Sequence, residues 1–506
     1  MFIEPKYEEI VCKNQIKTLI SETNAECKTA LGADEVAKVL GVSAHAVLTG
    51  EEVTAGQFRY GGRIVFCIAY LSPEGVVKKA ECGAEFSNAV KIDPAEGKLT
   101  SRTALSVTRA AAEISGGILV ARGVVAAETC FYAERSVKAL TGGENLIVKK
   151  CAAKSVKETK FSPAVYPLEE EFELNYPVGD AVMHSAKAIV TAAQCGVGTV
   201  ICDGELILSV CFLQKIENSD ILKETKVFPF RVEAEAEDAL PAFAADCEVA
   251  LKGLSVDINV DEAAGKSTVR VSAEISLTGS YFEETDAEYA TDCYSPLCEV
   301  RFSKTEIAAA YPSGEKTLEK RVSGRGAFLN GLEAGARLMC CADEKITLTS
   351  VTATDTIAAE GVLEATAFCK DIEGKVFSVA LEAPFSAVLE CDVGDDRYRV
   401  DAAVCECGAR IASLESFDID ALVKFRVRTE RRESVFAAGE VEEGEEKKPS
   451  GAALSVYIPV EGEELWDAAK RLNASPEEIS AMNPDLSFPL EGNERIVIYR
   501  QEKKEY

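Results

Sequence analysis

Apolar and polar residues alternate with a period of two along much of this chain. The clearest stretch is 268–278, where Val269, Val271, Ala273, Ile275 and Leu277 alternate with Thr268, Arg270, Ser272, Glu274, Ser276 and Thr278. Successive side chains of an extended backbone point to opposite faces, so one set meets a core and the other meets water. A second stretch sets Phe417, Ile419, Ala421, Val423, Phe425 and Val427 against Asp418, Asp420, Lys424, Arg426 and Arg428, with Leu422 the one exception. Noisier runs of the same kind occupy 64–70, 117–129 and 206–212. Short polar turns such as Ser72-Pro73-Glu74-Gly75 and Asp371-Ile372-Glu373-Gly374 separate such runs, as in hairpins. Only 25–40, with GADEVAKVL at its end, carries mixed signals that leave room for helix.

The pattern recurs. A glycine opening a short apolar run appears as Gly62-Arg63-Ile64-Val65-Phe66, Gly204-Glu205-Leu206-Ile207-Leu208 and Gly361-Val362-Leu363-Glu364-Ala365. About 25 residues later each copy reaches an aromatic: Phe86, Phe230 and Phe385, the last two directly after Pro229 and Pro384, with Glu85 in the place of proline in the first copy. The glycines stand 142 and 157 residues apart, the size of one domain. The expected fold is mainly β: three tandem β-rich repeats, sandwiches or open barrels, over 1–140, 141–292 and 293–435. The run of Glu442, Glu443, Glu445 and Glu446 before Lys447-Lys448-Pro449 predicts an acidic linker over 436–452, isolating a last module at 453–501.

Charge narrows the function classes. Lys+Arg 55 against Asp+Glu 84 gives a formal −29, a surface that repels phosphate backbones and anionic lipid. No nucleic-acid partner and no membrane insertion are expected, since no apolar stretch reaches the roughly 20 residues of a span. The first residues, MFIEPKYEEI, lack an apolar export signal, and the 18 cysteines include no C-x-x-C pair. Small buried thiols in a reducing cytoplasm are the expectation. Neither a P-loop, a three-glycine dinucleotide fingerprint nor a G-x-S-x-G elbow is present. The two histidines, His45 and His184, are expected to be surface or structural residues. Glu169-Glu170-Glu171 and Glu283-Glu284 read as solvated loops. Lys424, Arg426, Arg428, Arg431 and Arg432 form one basic stripe, expected to be solvated, with docking to an acidic neighbour as its functional reading. No catalytic residue, metal site or cofactor is expected, and the chain reads as a non-enzyme.

The final module has its own periodicity. Leu454, Val456, Ile458 and Val460 alternate with Ser455, Tyr457 and Pro459 as a short strand, and Gly462 turns the chain. Leu465, Ala468, Ala469 and Leu472 then recur at helical spacing, with Glu463 and Glu464 at the start and Lys470 and Arg471 at the end, matching the helix dipole. Ser475-Pro476-Glu477-Glu478 is a capping box with Pro at the first helical position, Asn483-Pro484 ends that helix, and RIVIY at 495–499 is a closing strand. This βααβ order resembles a LysM module, through Tyr457, Gly462, Leu465-Trp466, Ala469, Ser475, Ile479, Asn483-Pro484, Pro489-Leu490, Gly492 and Ile496-x-Ile498. The resemblance implies a GlcNAc-glycan groove between two loops, Gly462-Glu463-Glu464 and Asn483-Pro484-Asp485-Leu486. Where LysM sequences carry Gly-Asp-Thr/Ser, this chain has Gly462-Glu463-Glu464, which trades a hydroxyl for a carboxylate and leaves room for a protein ligand. Trp466, the one Trp of the chain, is expected in the module's core, and Asn483 is expected to fix its loop.

Three β repeats, an acidic joint and one terminal LysM resemble the SPOCS-domain spore-envelope morphogenesis proteins of spore-forming Firmicutes. The residues carrying this are the runs at Gly62, Gly204 and Gly361, Phe230 and Phe385, and the LysM landmarks. The family implies a scaffold in the mother-cell cytoplasm that joins the spore coat to the forespore surface. Its LysM module binds the coat-basement ATPase, a coat morphogenetic protein. Peptidoglycan is the alternative ligand.

Overall fold

The computed structural model describes residues 2–54, 56–93, 97–215, 220–261, 263–329, 331–448 and 454–499. Strand makes up 77% of it and helix 4%, so the fold is mainly β. The first six strands are β1 (Glu4–Gly32), β2 (Lys38–Thr54), β3 (Gln57–Leu71), β4 (Val77–Lys91), β5 (Lys98–Ser115) and β6 (Ile118–Glu144). They form two antiparallel sheets, β2-β3-β4 and β1-β6-β5. Seven more follow: β7 (Ile147–Lys160), β8 (Ala164–Leu174), β9 (Val178–Cys195), β10 (Thr199–Gln214), β11 (Ile221–Glu235), β12 (Ala244–Asp261) and β13 (Lys266–Tyr294). The next six are β14 (Cys298–Ala327), β15 (Arg337–Ala353), β16 (Ile357–Lys370), β17 (Val376–Leu389), β18 (Arg397–Ile411) and β19 (Ser416–Glu446).

One strand order occurs three times. A central meander, β2-β3-β4, β9-β10-β11 or β15-β16-β17, packs on a sheet in which the last strand of the unit lies between the first and the penultimate. In the second unit the first strand is broken at Ser162-Pro163 into β7 and β8, and both halves pair with β13. Each pair of sheets encloses its own core, for example Ile64, Phe66 and Ile68 of β3 against Leu119, Ala121 and Val125 of β6. Val269, Val271, Ala273, Ile275 and Leu277, and likewise Phe417 through Val427, are buried as the alternation predicts.

The Gly-to-Phe spacing has a direct cause. Gly62 lies opposite Phe86, Gly204 opposite Phe230, and Gly361 opposite Phe385, each pair facing across one hairpin. The neighbouring strand carries one extra residue beside each glycine, a threonine in every case: Thr49, Thr191 and Thr349. That bulge drives a backbone carbonyl toward the glycine while the Phe ring lies over it. A Cβ at Gly361 would sit 2.2 Å from the Thr347 carbonyl oxygen and 2.8 Å from Phe385 Cε1. At Gly204 it would sit 2.4 Å from Phe230 Cζ. Gly361→Ala should cost about 1–3 kcal/mol through this overlap and lower the thermal midpoint of the full chain. Gly50→Ala, where a Cβ meets nothing within 4 Å, should leave the midpoint in place, and equal effects of the two would refute the account.

The three units share buried surface. Equivalent segments of their meanders, Ala69 and Leu71, Met183 and Cys211, and Cys340 and Phe368, meet in one apolar cluster. The outer halves of the long strands meet in two more, with Ala139, Tyr289 and Ala437 in one and Leu140, Ala290 and Ala438 in the other. Neighbouring positions of all three units thus meet in each of these clusters.

Several expectations are corrected. Residues 25–40 are not helical: β1 continues to Gly32 paired with β6, and only a 3-10 turn at Ala33–Glu35 precedes β2. Long-range pairing overrides the helix signals there. The expected linker over 436–452 is strand to Glu446, because β14 supplies partners such as Arg301 for Glu442 and Val300 for Glu443, while Ala437 and Ala438 are fully buried. Residues 449–452 lie outside those described. Glu169-Glu170-Glu171 and Glu283-Glu284 are strand residues of β8 and β13, not loops. His184 is buried, the structural of the two alternatives expected for it.

Of the basic stripe, Arg431 and Arg432 are exposed as expected, and the other three are corrected. Lys424, Arg426 and Arg428 do point away from the core of their own unit, as alternation requires, but that face is covered by the other units. Arg428 Nη1 lies 2.5 Å from Glu248 and 3.2 Å from Asp246 of β12, and its Nη2 lies 2.6 Å from Asp401. Arg102 of β5 reaches the same Asp246 at 2.5 Å. Arg426 forks onto Glu315 at 2.8 and 3.0 Å and donates to the Cys247 carbonyl, and Lys424 meets Glu205 of β10 at 2.5 Å. The acidic neighbours of the stripe are in this chain itself: Asp246, Glu248 and Glu205 of the second unit, and Glu315 and Asp401 of the stripe's own unit.

Candidate binding site in the C-terminal module

After β19 come β20 (Leu454–Tyr457), α1 (Leu465–Leu472), α2 (Pro476–Met482) and β21 (Ile496–Tyr499), with β20 antiparallel to β21. The order is βααβ. Ser475 caps α2: its side chain accepts from the Glu478 N–H while Glu478 reaches back to the Ser475 N–H. Asn473 closes α1 in the left-handed region, with φ 53°. The helices bury Trp466, Ala468, Ala469 and Ile479 against Ile496 and Ile498.

The structure assigns the seven expected groove residues to different jobs. Glu463 is buried and turned inward, where its carboxylate accepts from Tyr457 Oη at 3.0 Å and the Val460 N–H at 2.9 Å. Asn483 fixes its loop, donating to the Ile479 and Val497 carbonyls and accepting from the Val497 N–H at 2.8 Å. Leu486 packs partly into the module core. Gly462, with φ 81°, Glu464, Pro484 and Asp485 stay exposed. The first loop is tied by backbone bonds to Leu490: Gly462 N–H donates to the Leu490 carbonyl, and Leu490 N–H to the Glu463 carbonyl. Glu463 and Asn483 therefore hold the loops and are not presented to a ligand, because two acceptor lone pairs and an amide that would cost free energy unpaired are all satisfied internally.

Trp466 is in the core, as expected, and it also docks the module. Its ring sits edge-on to Tyr294 at 5.1 Å between centroids, and its Nε1 donates to Asp292 at 2.8 Å. Lys470 reaches the same Asp292 at 2.7 Å, Tyr294 Oη donates to the Ala474 carbonyl at 2.6 Å, and Asn473 donates to the Pro296 carbonyl at 2.7 Å. The module is seated on the β13–β14 joint.

What the sequence pattern did not separate is which side of the module's first strand faces out. The strand is shorter than expected and ends at Tyr457; Tyr457 turns inward, while Leu454 and Val456 of β20, Ile458 and Val460 of the segment after it, and Tyr499, the partner of Leu454, stand exposed. Alternation marks two faces without saying which is covered, and here the more apolar face is the open one. Ile458 is 68% exposed.

No family model, no curated protein and no solved structure matches this chain. Among the described residues no helix is long and apolar enough to cross a membrane.

Proposed function

We propose that the chain is a non-enzymatic scaffold of spore coat and envelope assembly, the role that the SPOCS and LysM resemblances imply. In this reading it works in the mother-cell cytoplasm, and its terminal module recruits a coat morphogenetic protein, the coat-basement ATPase, at the forespore surface. The observation that carries the choice of a protein over a glycan is the exposed aliphatic row Leu454, Val456, Ile458 and Val460 with Tyr499. Sugars are held by hydrogen-bond donors and acceptors, and the two residues best suited to that, Glu463 and Asn483, are spent inside the loops. An apolar row beside an open strand edge instead fits an aliphatic or aromatic protein segment added as a further strand. Exposed Glu461, Glu464 and Asp485 nearby favour a partner with basic residues flanking that segment.

The test uses the full chain with Val456→Lys and Ile458→Lys together. Both side chains are exposed, so the fold should persist while affinity for purified coat-basement ATPase falls at least roughly tenfold, the loss of a buried apolar anchor. Sedimentation with peptidoglycan runs alongside. Retention on peptidoglycan by the parent chain, with no measurable binding to the ATPase, would overturn the reading in favour of the glycan alternative.

A further inference from the structure

The two histidines of the chain stand 139 residues apart in sequence, yet both line one cavity of about 60 Å³ where the first unit meets the second. His45 lies on β2 and His184 on β9. Cys67 of β3 and Glu81 of β4 are direct cross-strand partners and complete the lining, with Ser43, Ala44, Val65, Ser185, Ala186 and Leu254 around them. His184 Nδ1 lies 3.9 Å from Cys67 Sγ, and its Nε2 lies 3.8 Å from a Glu81 carboxylate oxygen. One donor atom from each of Cys67, Glu81 and His184 falls within 4.8 Å of the others. The joint is held in register by Ser43 Oγ, which donates to the His184 carbonyl at 2.9 Å. The Nε2 of His45 is buried without a hydrogen-bond partner.

We propose that Cys67, Glu81 and His184 form a three-residue transition-metal site suited to Zn²⁺ that ties the first unit to the second. Thiolate, imidazole and carboxylate together are a donor set for a borderline-soft ion with tetrahedral coordination, and they exclude Ca²⁺ and Mg²⁺, which take oxygen ligands. Zinc–ligand bonds of roughly 2.0–2.3 Å require the donors to draw somewhat closer than they stand, a matter of side-chain rotation about the cavity. On binding, the Cys67 S–H bond gives way to an S–Zn bond and its proton leaves to water. Lys79 Nζ lies 2.7 Å from the same Glu81 carboxylate and, with its side chain 23% exposed, has to give up that contact when the ion takes its place.

The experiment uses the full chain, stripped with chelator and titrated with Co²⁺ as the spectroscopic stand-in for zinc. One equivalent should produce a thiolate-to-cobalt charge-transfer band and intense tetrahedral ligand-field absorption, both displaced by Zn²⁺. Cys67→Ser should abolish the charge-transfer band, while Cys151→Ser, at the exposed cysteine of β7, should keep it. His184→Gln should weaken Co²⁺ binding roughly tenfold or more. Zn²⁺ should raise the melting temperature of the parent chain and not that of Cys67→Ser. Circular dichroism of Cys67→Ser establishes that it is folded, and Glu81→Gln supplies a second folded variant with weakened binding. No cobalt band in the parent, or a band that survives in Cys67→Ser, overturns the site.

Discussion

Arg428→Ala is expected to be among the most destabilising single substitutions in this chain, costing about 3–5 kcal/mol, because it takes the shared counter-ion from three clustered carboxylates and leaves Asp246 with Arg102 as its main remaining partner. The side chains of Arg428 and Asp246 are 12% and 18% exposed, so water replaces little of what is lost. Asp401 and Glu248 lose a partner in the same step. The cost also has a pH signature. Burial raises the Asp246 carboxyl, but Arg102 and Arg428 outweigh it and hold the group at about 2. A carboxyl depressed below its ordinary value of about 3.9 stabilises the fold above that value, and the contribution is lost as pH falls through about 2. Without Arg428 the burial remains and one of the two main opposing charges is gone, so the carboxyl rises and the folded variant takes up a proton sooner. The gap in denaturation midpoint between parent and Arg428→Ala should therefore be widest near neutral pH and narrow as pH is lowered toward roughly 3. A gap independent of pH would show that the arginine acts through packing of its stem alone.

The same residues show what the sequence could and could not reveal. Period-two alternation places Arg426 and Arg428 on the face opposite Phe425 and Val427, and they are there. It carries no information about what covers that face, and in this chain Asp246 and Glu248, some 180 residues earlier, do so. The Gly62, Gly204 and Gly361 spacing was legible as repetition because a hairpin fixes how far a glycine lies from the Phe opposite it. The cavity at His45 and His184 had no such signal: neither has a ligand-spaced neighbour in sequence, and only packing of one unit on the next brings them together. Glu442 to Glu446 read as linker because a run of carboxylates cannot make a core, yet the edge of a long ribbon asks only for backbone partners, which β14 supplies. In the module, Ser475 with Glu478 and the i, i+3, i+4 stripe set both helices from local chemistry. The outward face of Val456 depended on where Trp466 and the helices came to rest.

Trp466→Ala should be comparably severe but local. A buried indole removed from a core of this size costs about 3–5 kcal/mol, more than a two-helix, two-strand module holds in reserve. The module should lose its protease resistance after Lys448 while the three β units melt near their parental temperature, since Trp466 meets them at their edge, through Tyr294 and Asp292. Asp292→Asn separates docking from folding. It keeps the core, weakens the 2.8 Å bond from Nε1 and removes the charge that Lys470 meets at 2.7 Å. Trp466 is the chain's single Trp, so fluorescence reads this site alone. Emission should move to longer wavelength in Asp292→Asn as water reaches the ring, with the module still folded. If Trp466→Ala instead leaves the segment after Lys448 protease-resistant, the indole is neither core nor clamp, and the aliphatic row on β20 has lost the anchor that holds it toward a partner.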